Sequence, residues 1–315
     1  MAADDNGFKK KKRNQIVQAF VQAYVDGLTE FASDDREKWH EYRLDNSPEI
    51  IRNLLERSQK SRADFLNDLI DTEKERFFPS KKIVPCSGHI AKFQEIVNVY
   101  CQENEIDREG RVADFFEVKD VAVKKGSGTA SLGLDRYFVL ISGPSDDPLD
   151  DIILELKQAR ESALSGLVPK PEDGHKLGEV SKAAQIVEAH RVHLAGGDPY
   201  YGHVHFDDKS YLVRERSPFK EEIELDELDL SEFIEYASIC GKTLAQTHAR
   251  SDEDTGIMEG NAEEKILEAI QRPVLFVDDI LRFAQVAAKR IKRDYRLFKA
   301  DHQLGAFEFM GQDNG

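Results

Sequence analysis

The stretch that most constrains the fold of this chain lies between residues 118 and 162. Short apolar runs, rich in β-branched and aromatic residues, are separated there by turns that contain Gly, Pro and Asp. Apolar runs this short, with such residues at their ends, are typical of strands rather than helices. The pattern predicts three successive strands, at about 116–123, 137–141 and 152–157.

A glycine-rich segment joins the first two of these strands. Gly128, Ala130 and Gly133 have the spacing of a G-x-G-x-x-G motif with alanine at its middle position, and Gly126 and Ser131 lie within or beside it. Glycines at such positions let backbone N–H groups approach a phosphate closely. A dinucleotide-binding fold would continue with a helix, whereas this chain continues with a strand. The loop is therefore predicted to connect two strands.

Lys157 lies at the end of the third predicted strand. A glycine loop between two strands, followed by a lysine on the third, is the arrangement that protein kinases place over the phosphates of ATP. Period-two alternation places Ile153, Glu155 and Lys157 on one face of the sheet. From the pattern alone, the commoner interpretation is an ordinary hairpin with a flexible tip and a solvated lysine, and nucleotide binding is the second interpretation.

Helical periodicity dominates both sides of this β-rich region. A further hairpin, at 200–206 and 209–215, brings the predicted strands to five. We therefore predict an α+β fold with a small five-stranded antiparallel β lobe and one helix inserted after its third strand. The predicted domains are residues 1–105, residues 106–220 and residues 221–315, with the two outer helical segments packed together. The predicted helices cover residues 16–31, 47–70, 90–101, 182–194, 229–248, 263–271 and 277–298. The helix over 47–70 is predicted to have Ser47 as its N-cap and Pro48 as its first residue, and its polar middle at 58–62 is a candidate break. Asp229 and Glu232 are predicted to form a capping box at the start of a later helix.

Charge and composition exclude several classes of function. The 315 residues carry a formal net charge of −16, which argues against nucleic acid or an anionic membrane as the main partner. No apolar run approaches the length that spans a bilayer, and the N-terminus lacks the apolar core of a secretory signal. Three cysteines at irregular spacing fit a reducing compartment. We expect a cytoplasmic protein with no nucleic-acid and no membrane partner.

Several short motifs occur in order along the chain: V-K-D-V-A at 118–122, S-L-G at 131–133, R-Y at 136–137, L-K-Q-A at 156–159, Y-L-V-R at 211–214 and C-G-x-x-L-A-x-x-H-A-R-S at 240–251. Together they resemble a bacterial family catalogued as domain of unknown function 2252. The resemblance covers most of the chain and is strongest between about residues 118 and 305. That family looks related to kinase-like and aminoglycoside-phosphotransferase-like folds, with its parts in permuted order, so the resemblance implies a kinase-like fold.

The resemblance implies a nucleotide site with ATP and Mg²⁺ as cofactors. Lys157 would neutralise the α- and β-phosphates, and Glu188, on the helix after the third strand, would hold that lysine. Glu188 also fits an ordinary solvated position on an amphipathic helix. The nucleotide-binding set is Gly126, Gly128, Ser131, Gly133, Lys157 and Glu188.

The chain departs from the family pattern in its catalytic motifs. The segments G-D-x-H-x-x-N and F-D-x-x-D-F-D, which resemble a catalytic loop and a metal-binding motif, do not occur in the sequence. We expect that a phosphotransferase site would need a separately encoded N-terminal fragment. The alternatives are a non-catalytic, pseudokinase-like binding or scaffold module, a truncated remnant, or a structural domain without a ligand. Glu155 also departs from the kinase pattern, because a kinase has a small residue beneath adenine at that position.

Three further residues are possible substrate contacts. Arg214 and Arg250 could bind anionic groups, and Asp252 could contact substrate or phosphate, although each also fits an ordinary surface role. The acidic run 252–254 could bind a metal but is more often a solvated turn. Two histidine pairs, at 190 and 193 and at 203 and 205, have no third ligand at a recognisable spacing. We therefore predict no metal ligands.

Overall fold

The structure is a computed structural model that describes residues 2–106, 115–126, 133–167 and 181–307. Its helices are α1 (Ala2–Asp5), α2 (Lys10–Asp34), α3 (Glu49–Ser58), α4 (Arg62–Asn67), α5 (Ile90–Glu103), α6 (Lys182–His193), α7 (Leu230–Ala249), α8 (Ala262–Ile270) and α9 (Pro273–Gln303). Its strands are β1 (Ile70–Asp71), β2 (Arg76–Phe77), β3 (Ile83–Pro85), β4 (Val118–Lys124), β5 (Arg136–Ile141), β6 (Ile152–Gln158), β7 (Gly202–Phe206) and β8 (Lys209–Glu215).

The chain divides into two compact units. One, the helical unit, comprises Met1–His40 and Ile223–Gly315, and the other, the sheet unit, comprises Glu41–Glu222. The sheet unit includes residues 41–105, which were predicted to belong to the N-terminal helical segment. The reason is that α5 buries Phe93, Val97 and Tyr100 in the same apolar cluster as the strands.

The sheet unit is built on an antiparallel sheet in the order β3-β4-β5-β6-β8-β7. All five predicted strands are present, but the sheet has six strands rather than five. The additional strand, β3, pairs with β4 at the edge of the sheet. It is only three residues long, ends in proline and follows two lysines, so it carries too little alternation to be recognised in the sequence.

The predicted helix over 47–70 is broken in its polar middle, where the sequence indicated a candidate break, and its second part ends before residue 70. Two short helices, α3 and α4, stand in its place, and a separate hairpin of β1 and β2 begins at Ile70. The break falls in the polar segment around residues 58–62, where Ser61 caps α4 by accepting a hydrogen bond from the Asp64 backbone N–H at 3.1 Å. Pro48, rather than Ser47, occupies the cap position of α3.

The hairpin of β7 and β8 follows the prediction closely. Asp207 and Asp208 form its two-residue turn, and both have positive φ, at 49° and 57°. Such a turn matches the right-handed twist of the flanking strands, and aspartate tolerates the left-handed conformation better than most residues. The predicted capping box of α7 is also confirmed, since Asp229 and Glu232 each accept a hydrogen bond from the other's backbone N–H.

The helical unit is organised around the packing of α2 against α7. Gly241 lies at their closest approach, where an added Cβ would collide with the backbone carbonyl oxygen of Phe20. Beyond it, Leu28 and Phe31 of α2 are buried against Ala245 of α7 and the partly buried side chains of α8. The two helices are about two hundred residues apart in sequence, so this core joins the N-terminal and C-terminal parts of the chain.

Gly241→Ala is expected to destabilise the protein by about 1–3 kcal/mol, because the methyl group meets backbone rather than a movable side chain. An alanine in a helix would otherwise gain about 0.5–1 kcal/mol over glycine. Thr243→Ala, two residues along on the exposed side of the same helix, is the matched control. Chemical denaturation measures both variants, and a Gly241→Ala protein as stable as the control would contradict this packing.

Candidate functional site

The two faces of the six-stranded sheet differ in what covers them. Side chains of the first face, such as Val139 and Leu154, are buried against α5. On the second face, Phe138 and Ile153 are buried beneath a cluster that includes Leu66 of α4. Alternation along the strands therefore separates two apolar layers, and the polar residues of interest lie on the second face.

The polar part of the second face is strongly cationic, and we call it the cationic face. At the end of this face nearest the glycine loop it consists of Lys124, Arg136, Lys157 and Arg214, with the carboxylate of Glu155 among them. Another carboxylate of the second face, Asp120, lies towards the other end of β4. The strand register brings the four cations and Glu155 together, because Arg136 lies opposite Lys157 and Glu155 lies opposite Arg214. Four cations against one carboxylate is unusual in a chain whose net charge is −16.

Glu155 is completely buried and lies between two arginines. Arg136 Nε donates to Oε1 at 2.6 Å, and Arg214 Nε donates to Oε2 at 2.8 Å. Burial by itself would raise the pKa of Glu155, but the two guanidinium groups outweigh it, and the pKa lies below its ordinary value. The carboxylate is therefore ionised at neutral pH and fixes both arginine side chains in place.

Lys124 lies at the end of the cationic face nearest the glycine loop, where positive charges outnumber negative charges. Burial lowers its pKa, and repulsion by Arg136, Lys82 and Arg216 lowers it further, while Glu155 acts in the opposite direction. Within the part of the chain that the structure describes, its ammonium group donates a long hydrogen bond, 3.3 Å, to the carbonyl of Lys125. A bound anion would relieve the repulsion between these cations.

Lys157 is half-buried on the cationic face, while Glu188 is exposed on α6. Within the described ranges, no hydrogen bond or ion pair joins the two side chains. The helix lies over β7 and β8, where the Ala183 backbone N–H donates to Ser210 Oγ at 2.9 Å. Its buried side includes Val187, so the neighbouring Glu188 turns to solvent. The Lys157–Glu188 pair implied by the resemblance stays a prediction.

The glycine loop is described only at its two stems. Gly126 and Gly133 both have positive φ, 64° and 78°, and an added Cβ would meet no neighbour at either position. They are thus required for backbone conformation rather than for close packing. The predicted residues Gly128 and Ser131 lie outside the described residues. Lys124 and Arg136 flank the loop on the strands that it connects.

The remaining predicted contacts are divided between the two units. Arg214 belongs to the cationic face, whereas Arg250 and Asp252 belong to the helical unit. Arg250 Nη1 donates to the backbone carbonyls of Glu37 and Lys38, at 3.2 and 2.9 Å. Asp252 is buried and accepts a hydrogen bond from the Asp254 backbone N–H at 3.0 Å.

Sequence reasoning missed Lys124 and Arg136, although a signal was present. Each lies two positions from an apolar residue of the second face, Ala122 and Phe138 respectively, so alternation alone places them beside Lys157. Each also flanks the glycine loop. No helix in the described part of the chain is both long enough and apolar enough to cross a membrane.

These observations define an α+β protein whose antiparallel sheet presents a cationic face beside a glycine loop. Residues 1–301 match the family described as "Uncharacterized protein conserved in bacteria (DUF2252)", and the chain belongs to that family. The family resemblance drawn from the sequence motifs is thereby confirmed. No curated protein and no solved structure matches the chain.

Proposed function

We propose that the cationic face binds the phosphate groups of a nucleotide, with Mg-ATP as the ligand. The observation that carries the proposal is the convergence of Lys124, Arg136 and Lys157 beside the stems of the glycine loop. Backbone N–H groups of a glycine-rich segment and cationic side chains are both suitable partners for a polyphosphate. Mg²⁺ would enter with the nucleotide, since it prefers substrate phosphates and water to an all-protein site.

The order of elements supports a kinase-like form of this proposal. Two strands joined by a glycine loop precede a strand that ends in Lys157, and a helix and a hairpin follow. The second strand of that hairpin, β8, lies next to the lysine strand β6, in the order β4-β5-β6-β8-β7. Protein kinases use a glycine loop and a lysine on the third strand in this way.

One observation favours a second candidate function, a binding module without catalysis. In a kinase-like arrangement Glu155 would correspond to the small residue that lies beneath adenine, and it is buried between Arg136 and Arg214. A carboxylate there reduces the room for a base but leaves the phosphate-binding cations in place. Phosphoryl transfer would also need the catalytic carboxylates of a separately encoded fragment. Binding of ATP without turnover would support the binding module.

Addition of Mg-ATP is expected to raise the thermal unfolding midpoint of the wild type by several degrees. A ligand at about 100 times its Kd adds about 2.7 kcal/mol to the free energy of unfolding, which corresponds to such a shift in a chain of this length. Lys157→Ala should lose most of the shift. Lys92→Ala removes a lysine from α5, on the opposite side of the sheet, and should keep it.

The outcomes separate the alternatives. No shift in a well-folded wild type would contradict nucleotide binding, and an equal shift in both variants would place ATP elsewhere. If inorganic pyrophosphate shifts the midpoint as far as ATP does, the face recognises phosphate and not the base.

A further inference from the structure

A second group of charged side chains lies in the helical unit, away from the residues discussed so far. Glu37, Asp252 and Asp254 each contribute a carboxylate oxygen, and these three oxygens all lie within 4.8 Å of one another. Glu37 is in the short 3-10 turn after α2, and the two aspartates are in the loop after α7. With Glu263, in the first turn of α8, they form what we call the carboxylate cluster.

Two members of the cluster are buried, and each has one carboxylate oxygen without a hydrogen-bond partner among the described residues. Glu37 and Glu263 are each 1% exposed, and within the described residues neither Oε2 has a hydrogen-bond partner. A buried charged oxygen without a partner is costly, and native proteins normally pair it or bind a metal with it. This observation is independent of the clustering and points to a missing positive ligand.

The buried carboxylates also act on one another electrostatically. Burial, together with the charges of Glu263 and Asp35, raises the pKa of Glu37 to about 7. Burial likewise raises the pKa of Glu263, and the charge of Asp252 adds to this effect. Glu263 therefore lies within electrostatic reach of the three grouped carboxylates.

Two cationic side chains of the described residues, Lys38 and Arg250, contact the edge of the cluster. Lys38 Nζ pairs with Asp254 at 2.8 Å and with Asp35 at 3.2 Å. Arg250 directs Nη1 to the backbone carbonyls of Glu37 and Lys38. Neither contact supplies a partner to the orphaned oxygens of Glu37 and Glu263.

The donor set indicates which cation would fit. All the side-chain donors are carboxylate oxygens. Hard divalent cations prefer such oxygens, whereas soft metals prefer sulfur ligands. Ca²⁺ accepts about six to eight oxygens in flexible geometry, whereas Mg²⁺ usually takes one or two carboxylates and keeps its water. Three grouped carboxylates, with a fourth buried nearby, fit the larger ion better.

We propose that the carboxylate cluster is a Ca²⁺ site, with Glu37, Asp252 and Asp254 as ligands and Glu263 as a fourth carboxylate. The ion would tie the segment after α2 to the loop after α7 and to the start of α8. This site is separate from the proposed nucleotide site, and neither proposal depends on the other.

Calorimetric titration of chelator-treated protein with Ca²⁺ tests the site. The wild type should bind one ion, and its thermal midpoint should rise by several degrees at saturation. Loss of an outer partner of a metal ligand weakens binding about 10–100-fold, so Glu37→Gln should weaken it at least about 100-fold. Glu263→Gln is the second variant, and Glu268→Gln, on the exposed side of α8, is the matched control.

Glu37→Gln removes a negative charge from a group of like charges, so the variant is expected to fold. Saturable one-to-one binding that is lost in Glu37→Gln and kept in Glu268→Gln would establish the site. A wild type that binds no Ca²⁺ would overturn the proposal and indicate that a proton satisfies the cluster. Tighter binding of Mg²⁺ than of Ca²⁺ would overturn the choice of ion.

Discussion

Replacing both Arg136 and Arg214 with methionine is expected to lower the free energy of unfolding by about 3 kcal/mol at pH 7. Glu155 would then be a fully buried carboxylate without a partner, and stranding one charge of a buried ion pair costs about 3–5 kcal/mol. The lower end applies because the Arg214 side chain is 46% exposed, so water can reach part of the site. Urea denaturation measures the difference.

The free energies of unfolding of the wild type and the double variant are expected to depend on pH in opposite directions. In the wild type the pKa of Glu155 is lowered, so its contribution to stability is present at neutral pH and lost as the pH falls below the ordinary glutamate range. In the double variant burial acts unopposed and raises that pKa, so stability falls as the pH rises. The gap between the two proteins should therefore narrow as the pH is lowered towards 4.

A triple variant is the matched control. Adding Glu155→Leu to the two methionine substitutions removes the stranded charge, and apolar replacements of buried ion networks are often neutral or stabilising. The triple variant should recover most of the lost stability at pH 7. A double variant as stable as the wild type, or a triple variant no better than the double, would show that Glu155 is not held as described.

Leu154→Ala is expected to cost about 2–5 kcal/mol. Leu154 is fully buried on β6, in the middle of the sheet, within the cluster that includes Val97, Val139 and Val213. The truncation leaves a cavity that rigid neighbouring strands cannot fill. Denaturation at fixed pH measures the loss.

The comparison is Leu149→Ala, which removes the same atoms from a partly exposed position. It should change stability by about 0.5 kcal/mol or less, as surface substitutions usually do. Equal losses in the two leucine variants would contradict the assignment of the core.

Local patterns explain why much of the sheet unit could be predicted. The strands β4 to β8 each carry several alternating or continuous apolar residues, and the turn at Asp207 and Asp208 has residues suited to its conformation. The capping box at Asp229 is likewise local. In contrast, β1, β2 and β3 are two or three residues long and hold no periodic signal.

The candidate sites depend on pairings that are remote in the sequence. Alternation placed Glu155 and Lys157 on one face, but only the return of β8 beside β6 brings Arg214, 59 residues later, to Glu155. The burial of Glu155 could not be predicted either, because glutamate side chains are usually exposed. The carboxylate cluster joins residue 37 to residues beyond 250, and no local signal connects such positions.

The most direct test of nucleotide binding is a calorimetric titration of the wild type and Lys157→Ala with Mg-ATP. The proposal predicts saturable binding of one nucleotide by the wild type, weakened at least about tenfold in Lys157→Ala, since a lost contact to a charged group is worth about 1.5–3 kcal/mol. It also predicts unchanged binding in Lys92→Ala. A wild type that shows no saturable binding, or a Lys157→Ala protein that binds equally well, would contradict it.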